Sequence, residues 1–404
     1  MALPGLRSQA ISAAARLVGL PWRLNARGRG KPLSPHDSRL KRVLVIKPCC
    51  MGDVLMATPA IASLREALPA AQINLAVGEW SKPAVANNPR VTGFINFPDS
   101  TLESPGSYLR MVRHIRRGRY GAALVLDRSP LLNMLPLLAG IPIRAGLDSG
   151  DRGIGLTHPV YCPGNSTRHE VEWYLDVVRA LGLPARTDAA LEFYPTDKEM
   201  QRAEIMLSEP LGEDGESETG CVAIHVGGGS NPGMKLLSKR WQPQGWARIT
   251  DWLAETYEPT IILLGGPSKE DRQAAEEVKS ALFPAAQPFV VDMVGKLEWG
   301  EMAAVLKGCN LFLGNDTGAM HLATAVGTPV VAVFGPSDPA RYGPWDPTGR
   351  SQVVAGKSKR AGAEALREAA RGSATYHSTV SPEEVWAVVE KVYAKVIAEG
   401  RKRA

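Results

Sequence analysis

"NLFLGNDTGAMHLATAVGTPVVAVFGPSDPARYGP", Asn310 to Pro344, holds two short apolar runs, "LFLGN" and "PVVAVFG", on either side of "GAMHLATAVG". The runs are rich in branched and aromatic residues and are bounded by Gly, Asn and Pro, so they read as strands. The segment between them reads as a helix. A strand, a crossover helix and a second strand build a parallel sheet. Upstream the same alternation recurs: "CVAIHV", "TIILLGG" and "FVVDMVG" as strands, with "GWARITDWLAETY", "DRQAAEEVKSAL" and "WGEMAAVLKGC" as helices. "SPEEVWAVVEKVYAKVIAEG" closes the series with Ser381 as N-cap and Pro382 at the first helical position.

The first half repeats the pattern. "RVLVI", "AQINLAVG", "VTGFINF" and "YGAALVLD" read as strands. "VLMATPAIASLREAL" reads as one amphipathic helix with Leu55, Ile61, Leu64 and Leu68 facing a core. "SYLRMVRHIRRG" and "HEVEWYLDVVRALGL" read as two more. The acidic, turn-forming "SEPLGEDGESETG" separates the halves, and the boundary falls between Tyr194 and Thr219. The expected architecture is α/β: two Rossmann-like doubly wound domains facing across a cleft, with ligands at the carboxyl ends of the strands. Residues 41–200 form the first domain and 201–404 the second. Residues 1–40 form a basic extension, read either as an amphipathic helix on an anionic membrane or as a poorly ordered tail. Arg16 breaks the apolar core that a signal peptide would need.

Composition narrows the function. With 44% hydrophobic residues, 40 Gly and 31 Pro, the chain suits a globular protein with many turns. Its net charge of +6 suits a phosphorylated small molecule, an anionic membrane surface or nucleic acid. Aromatics at 6% and the lack of an aromatic-studded basic patch disfavour nucleic acid. The five cysteines are odd in number and show no CxxC spacing, so neither a disulfide framework nor a zinc site is expected, and a reducing cytoplasm fits. "PLLNMLPLLAGIPI" is too short and too broken by proline to span a membrane.

Four places carry chemistry. At Thr317–Gly318 a helix opens after a strand, and its unpaired N–H groups make an anion site. Asp316 beside it is either the N-cap or a ligand contact. His321 lies one turn on. After "VAIHV", the run Gly227-Gly228-Gly229-Ser230 is a Gly-rich loop of the kind that cradles phosphate, though it matches neither the P-loop nor the dinucleotide pattern. Lys239 and Arg240 follow it as candidate diphosphate partners, or as a solvated basic turn. Glu270 and Asp271 open the helix after "LLGGPS", where carboxylates meet a ribose or simply suit the helix dipole. Asp53 follows Gly52, which lets the chain turn tightly after the first strand. It is either an N-cap or a general base facing the cleft. Cys49 and Cys50 read as small loop residues. No Asp-x-Asp occurs, so a diphosphate here is expected to be held without a metal, and no cofactor is expected.

Taken together, "KPCCMGDVLMATPAIASLREALP", "HEVEWYLDVVRALGL", "AIHVGGGSNPGMKLLSKRW", "ILLGGPSKEDR" and "GNDTGAMHLATAVGTPVVAVFGPSDPARYGPW" resemble glycosyltransferase family 9, the heptosyltransferases that build the lipopolysaccharide inner core from ADP-heptose. The resemblance covers about Arg42 to Trp345. It implies the GT-B fold and an inverting transfer from a nucleotide-sugar to an anionic, membrane-held glycolipid of the lipid A–Kdo type. It implies Asp53 as catalytic base and Lys239 as phosphate contact. For the donor it implies Asp316, Thr317, Gly318 and His321, Glu270 or Asp271 near the ribose and the backbone of Leu297 at the adenine, and the Gly-rich loop and basic turn add Gly228, Ser230 and Arg240 as donor candidates. Gly52, Arg113, Arg116 and Arg128 are the candidate acceptor contacts. The dense run Arg110, Arg113, Arg116, Arg117 and Arg119 is expected to steer the acceptor. The implied location is cytoplasmic, at the inner membrane surface. The sequence departs from the family at Cys49-Cys50-Met51, at His225-Val226-Gly227 and in "GKSKRAGAEALREAARGSATYHS", which leaves donor and acceptor identity open. A transferase for another nucleotide-sugar, used in surface polysaccharide assembly or protein glycosylation, and a nucleotide-binding scaffold without turnover, are the alternatives.

Overall fold

The structure is a computed structural model that describes residues 30–150, 153–163, 166–211, 220–231, 234–356 and 376–400. Most of the expected basic extension, the "GEDGESET" part of the acidic separator and most of the late departure segment lie outside the described residues. The chain divides into two compact units, Met1–Ala189 and Ala190–Ala404.

The first unit contains β1 (Arg42–Ile46), α1 (Met51–Met56), α2 (Thr58–Ala67), β2 (Gln72–Val77), β3 (Gly93–Asn96), α3 (Pro105–Arg117), β4 (Ala122–Val125), α4 (Pro130–Leu138), β5 (Ile143–Asp148), β6 (His158–Tyr161) and α5 (Glu170–Ala180). Its sheet runs β3-β2-β1-β4-β5-β6, and every pairing is parallel. Val43, Leu44, Val45 and Ile46 are all buried, as a strand covered on both faces requires.

The single helix expected over 54–68 is broken. Pro59 has no N–H to offer the Leu55 carbonyl. Thr58 Oγ1 donates to that carbonyl instead, at 2.7 Å, and the chain restarts as α2. The stretch 130–143, read only as an apolar run, forms α4 and starts β5. Cys49 and Cys50 are joined in a disulfide, against the expectation of none. The bond joins sequence neighbours and encloses no intervening residue, so cysteine spacing gave no sign of it. Cys162, Cys221 and Cys309 are unbridged and buried.

The second unit contains α6 (Asp197–Leu211), β7 (Cys221–His225), a ribbon of β8 (Ser230–Asn231) and β9 (Met234–Lys235), α7 (Pro243–Tyr257), β10 (Thr260–Leu264), α8 (Lys269–Ala281), β11 (Val290–Asp292), α9 (Trp299–Gly308), β12 (Leu311–Asn315), α10 (Gly318–Ala325), β13 (Val330–Phe334), α11 (Pro339–Tyr342), β14 (Gln352–Ala355) and α12 (Pro382–Gly400). Its main sheet runs β11-β10-β7-β12-β13-β14, again wholly parallel. Val222, Ile224, Leu263, Leu313 and Val331 pack with Trp241, Trp246 and Tyr393 into one core. Ser381 caps α12 reciprocally: its Oγ accepts from Glu384 N, and its own N–H donates to Glu384 Oε2.

Counted within each unit, both sheets have the order 3-2-1-4-5-6. The winding reverses between β1 and β4 in one and between β7 and β12 in the other, and ligands bind outside the carboxyl ends at such a reversal.

Candidate active site

In the second unit the reversal is sewn together by Asn315, the last residue of β12. It is fully buried. Its Oδ1 accepts from Trp241 N at 2.8 Å, and its Nδ2 donates to Val226 O at 3.3 Å and Gly227 O at 3.2 Å. One amide thus fixes the Gly-rich loop and the Lys239–Trp241 strip to the strand end. Asp316 comes next, buried and paired with Lys239 Nζ at 2.6 Å. The N-cap of α10 is Thr317, not Asp316, and no side chain caps the helix. The first-turn N–H groups of α10 are therefore left to an external acceptor. Gly228 has φ +98°, and a Cβ there would sit 2.2 Å from Thr317 Cγ2, so only glycine lets the loop lie against the helix start.

Buried polar atoms without a partner collect around the same edge: His225 Nδ1, Ser230 Oγ, Ser238 Oγ, Thr317 Oγ1, Ser337 Oγ and His377 Nε2. Buried polar groups are nearly always paired, so this edge is a candidate surface for a polar ligand. Burial lowers the His225 pKa against the opposing pull of Asp271, which keeps the imidazole neutral near pH 7. Burial brings His377 down to about 4, against the smaller upward pull of the nearby Lys239 backbone, while its Nδ1 lies 3.1 Å from Thr379 Oγ1. His377 is held by its own backbone, which bonds Arg240 O and Gln242 N, and its ring packs against Gly335 at the end of β13.

In the first unit, Lys47 leaves β1 and Asp127 follows β4, on neighbouring strands. Lys47 is 3% exposed. Its Nζ lies 3.2 Å from Asp53 Oδ2 and 3.4 Å from Asp127 Oδ2. Asp127 Oδ1 accepts from Ser129 N at 2.8 Å, which fixes that carboxylate. Burial alone would push Lys47 down, but Asp53, Tyr174, Asp127 and Glu170 outweigh it and hold the ammonium well above its usual range. Asp53 sits in the first turn of α1, whose N-cap is Cys50, so the N-cap reading of Asp53 does not hold. Gly52 lies inside the same turn. Beside the lysine, Arg128 makes a two-pronged bond to Glu170 at 2.7 and 2.8 Å and reaches Cys162 Sγ.

Among the described residues, no group of His, Cys, Asp and Glu could hold a metal ion, and no helix is long and apolar enough to cross a membrane. The sequence profile of glycosyltransferase family 9 (heptosyltransferase) matches residues 108–371. The chain belongs to glycosyltransferase family 9. It is 28% identical over 313 residues to lipopolysaccharide heptosyltransferase 2 of Escherichia coli K12, covering 74% of this chain and 84% of that protein. It is 27% identical over 329 residues to lipopolysaccharide heptosyltransferase 1 of Pseudomonas aeruginosa, covering 78% and 83%. Among solved structures, a family 9 glycosyltransferase from Veillonella parvula superposes with TM-score 0.73 at 21% identity, covering 91% of this chain and 99% of that one. E. coli ADP-heptose LPS heptosyltransferase II gives 0.66 at 22%, covering 88% and 99%. The fold is GT-B, and the protein is a glycosyltransferase.

For this family 9 enzyme the structure redistributes several expected roles. Arg240 is fully buried and spent: it donates to Gly228 O and Glu270 O and pairs with Asp271. It holds the loop rather than facing a diphosphate. Asp271 is buried with it and accepts from Gly228 N and Gly266 N. That leaves Glu270, partly exposed and paired with Lys235 at 2.7 Å, as the carboxylate within a ligand's reach. Leu297 lies half-buried just before α9. His321 is buried on α10.

Arg116 is tied to the end of α4 through Leu138 O and Ala139 O. α3 runs antiparallel to the strands, and Gly118 just beyond it bonds Arg42 at the start of β1. Arg116, Arg117 and Arg119 therefore lie at the amino edge of the sheet, away from Asp53, while Arg113 is exposed in mid-helix. The helix direction spreads the five arginines along the height of the sheet rather than gathering them at one end. Lys47, Asp127, Asn315, Ser337 and His377 had no assigned role in the sequence reading.

Proposed function

We propose that this chain is an inverting, metal-independent transferase that moves a heptose from ADP-heptose to a lipopolysaccharide inner-core acceptor of the lipid A–Kdo type. The observation that carries the reading is the Asp316–Lys239 pair beside the uncapped start of α10. The relatives' names support the heptosyl and lipopolysaccharide parts, and an E. coli heptosyltransferase solved with ADP supports the nucleotide. The α10 amides and Lys239 take the diphosphate charge. Asp316 and His321 face the sugar, Glu270 accepts from the ribose, and Leu297 lies against the adenine. Asp53 removes the proton from the acceptor hydroxyl. That oxygen bonds to the anomeric carbon as the bond to the diphosphate oxygen breaks, and ADP leaves. Fixed dipoles and the ammonium stabilise the developing negative charge. The working location is the cytoplasmic face of the inner membrane, where such an acceptor is held.

Calorimetry with ADP, UDP and GDP in the presence of EDTA tests this. Preferential ADP binding that survives EDTA and weakens on the order of tenfold or more in Lys239→Ala is expected, since charge-assisted contacts are the strong ones. Preference for UDP or GDP would move the donor to another nucleotide-sugar, and binding only with a divalent ion would remove the metal-free mechanism.

A further inference from the structure

We propose that Lys47 is a positioning residue for the transfer: its ammonium, anchored on Asp127, holds the Asp53 carboxylate in one orientation through each turnover. The inference rests on the reading of Asp53 as the base. The geometry is a buried cation at the winding reversal, within 3.2 Å of one carboxylate and 3.4 Å of another. The two carboxylates differ. Asp127 is 17% exposed and pinned by Ser129 N, whereas Asp53 is 35% exposed. Asp127 is thus the standing counter-ion and Asp53 the group open to a substrate.

The arrangement solves a charge problem. A buried ammonium is tolerated only while paired. When Asp53 takes the acceptor's proton its charge disappears, and Lys47 would be stranded if Asp53 were its only partner. Asp127 keeps it neutralised until the proton passes from Asp53 to solvent. Before transfer, Lys47 lies against both carboxylates and offsets the repulsion between them. The other charged or titratable groups around Lys47 are Tyr174 and Glu170 on α5, and Arg128, which pairs with Glu170. Burial pushes the Tyr174 phenol well above its usual range, so it stays neutral at working pH.

The test compares Lys47→Met, Lys47→Arg, the double variant Lys47→Met/Asp127→Asn, and Asp53→Asn, using ADP-heptose and a Kdo–lipid A acceptor. Lys47→Met is expected to lower kcat on the order of tenfold to a hundredfold, the scale of a misplaced reacting group. Its acidic pH limb should rise, the direction expected when a neighbouring positive charge is removed. ADP affinity should not change, and Lys47→Arg should recover part of the activity. The double variant buries no unpaired charge, so it carries the test if Lys47→Met fails to fold. It is expected to stay slow. Wild-type kcat and wild-type acidic limb in the double variant would mean that Lys47 only neutralises Asp127, and would overturn the proposal. An active Asp53→Asn enzyme would overturn the base reading and this inference with it. An inactive Asp53→Asn beside a normal Lys47→Met would overturn this inference alone.

Discussion

Arg240 and Lys239 are adjacent in sequence and opposite in role. Lys239 keeps a fifth of its side chain exposed beside Asp316, whereas Arg240 is sealed against Asp271. Breaking a buried pair leaves an uncompensated charge and costs about 3–5 kcal/mol. Arg240→Met is therefore expected to destabilise the second unit by that amount in urea unfolding. Weakened ADP binding at unchanged stability would instead return Arg240 to the ligand. Gly228→Ala meets two obstacles, a positive φ and the Thr317 methyl. It should abolish measurable ADP binding in calorimetry, and adding Thr317→Ser should restore only a part, because the backbone strain persists. Asp53 drew attention in the sequence because a carboxylate after a glycine, where a strand gives way to a helix, is conspicuous. Lys47 stands six residues earlier in the same stretch and gave no signal, since its meaning comes from Asp127, 80 residues away. The choice between Glu270 and Asp271 was equally closed to sequence. Both suit a helix first turn, and only packing shows which one the loops enclose.

The elements were readable to the extent that their patterns are local. Strands buried on both faces announce themselves as unbroken apolar runs, and the six-residue β5 was hidden only because a proline-broken run led into it. The break at Pro59 and the direction of α3 needed the three-dimensional path. The strip 376–380 was invisible for a different reason: no periodicity marks a segment that simply crosses a sheet end. That strip carries a measurable consequence. The native His377 pKa of about 4 lies below the ordinary value of 6.5. The folded state therefore binds fewer protons than the unfolded state in that window. The stability this contributes is full above pH 6.5 and is lost as the pH falls through the window toward 4, to a total of about 3 kcal/mol. In His377→Gln, which cannot protonate, the fall in stability between pH 7 and pH 4 should be shallower by that amount. Carboxylates titrate equally in both proteins, so urea unfolding of the pair isolates the histidine, and parallel curves would refute the assignment.

At the scale of the whole molecule, the two units repeat one winding order, and each presents an ion pair at its reversal: Lys47 with Asp53 and Asp127 in one, Lys239 with Asp316 in the other. The alternation of strands and helices made the two doubly wound halves readable, but not the strand order, because right-handed crossovers fix the hand of each connection and leave the order of the strands open. The charge distribution did not follow in the same way. A count of arginines gives one basic helix, but the helix axis separates Arg110 and Arg113 from Arg117 and Arg119, which lie toward the amino edge. No ion pair joins any of these four to a carboxylate among the described residues. If the long-range field of the +6 chain draws in an anionic glycolipid, acceptor KM should rise several-fold between about 0.05 and 0.3 M salt, where the screening length shrinks from about 14 Å to about 6 Å. The helix geometry sharpens the expectation. Arg110→Gln/Arg113→Gln should raise acceptor KM and flatten its salt dependence. Arg117→Gln/Arg119→Gln should change both much less, because those charges lie farther from Asp53 and are screened over a longer path. Equal effects from the two pairs would point to a field acting on the unit as a whole. An acceptor KM that ignores salt in the wild-type enzyme would show that capture depends on short-range contacts alone.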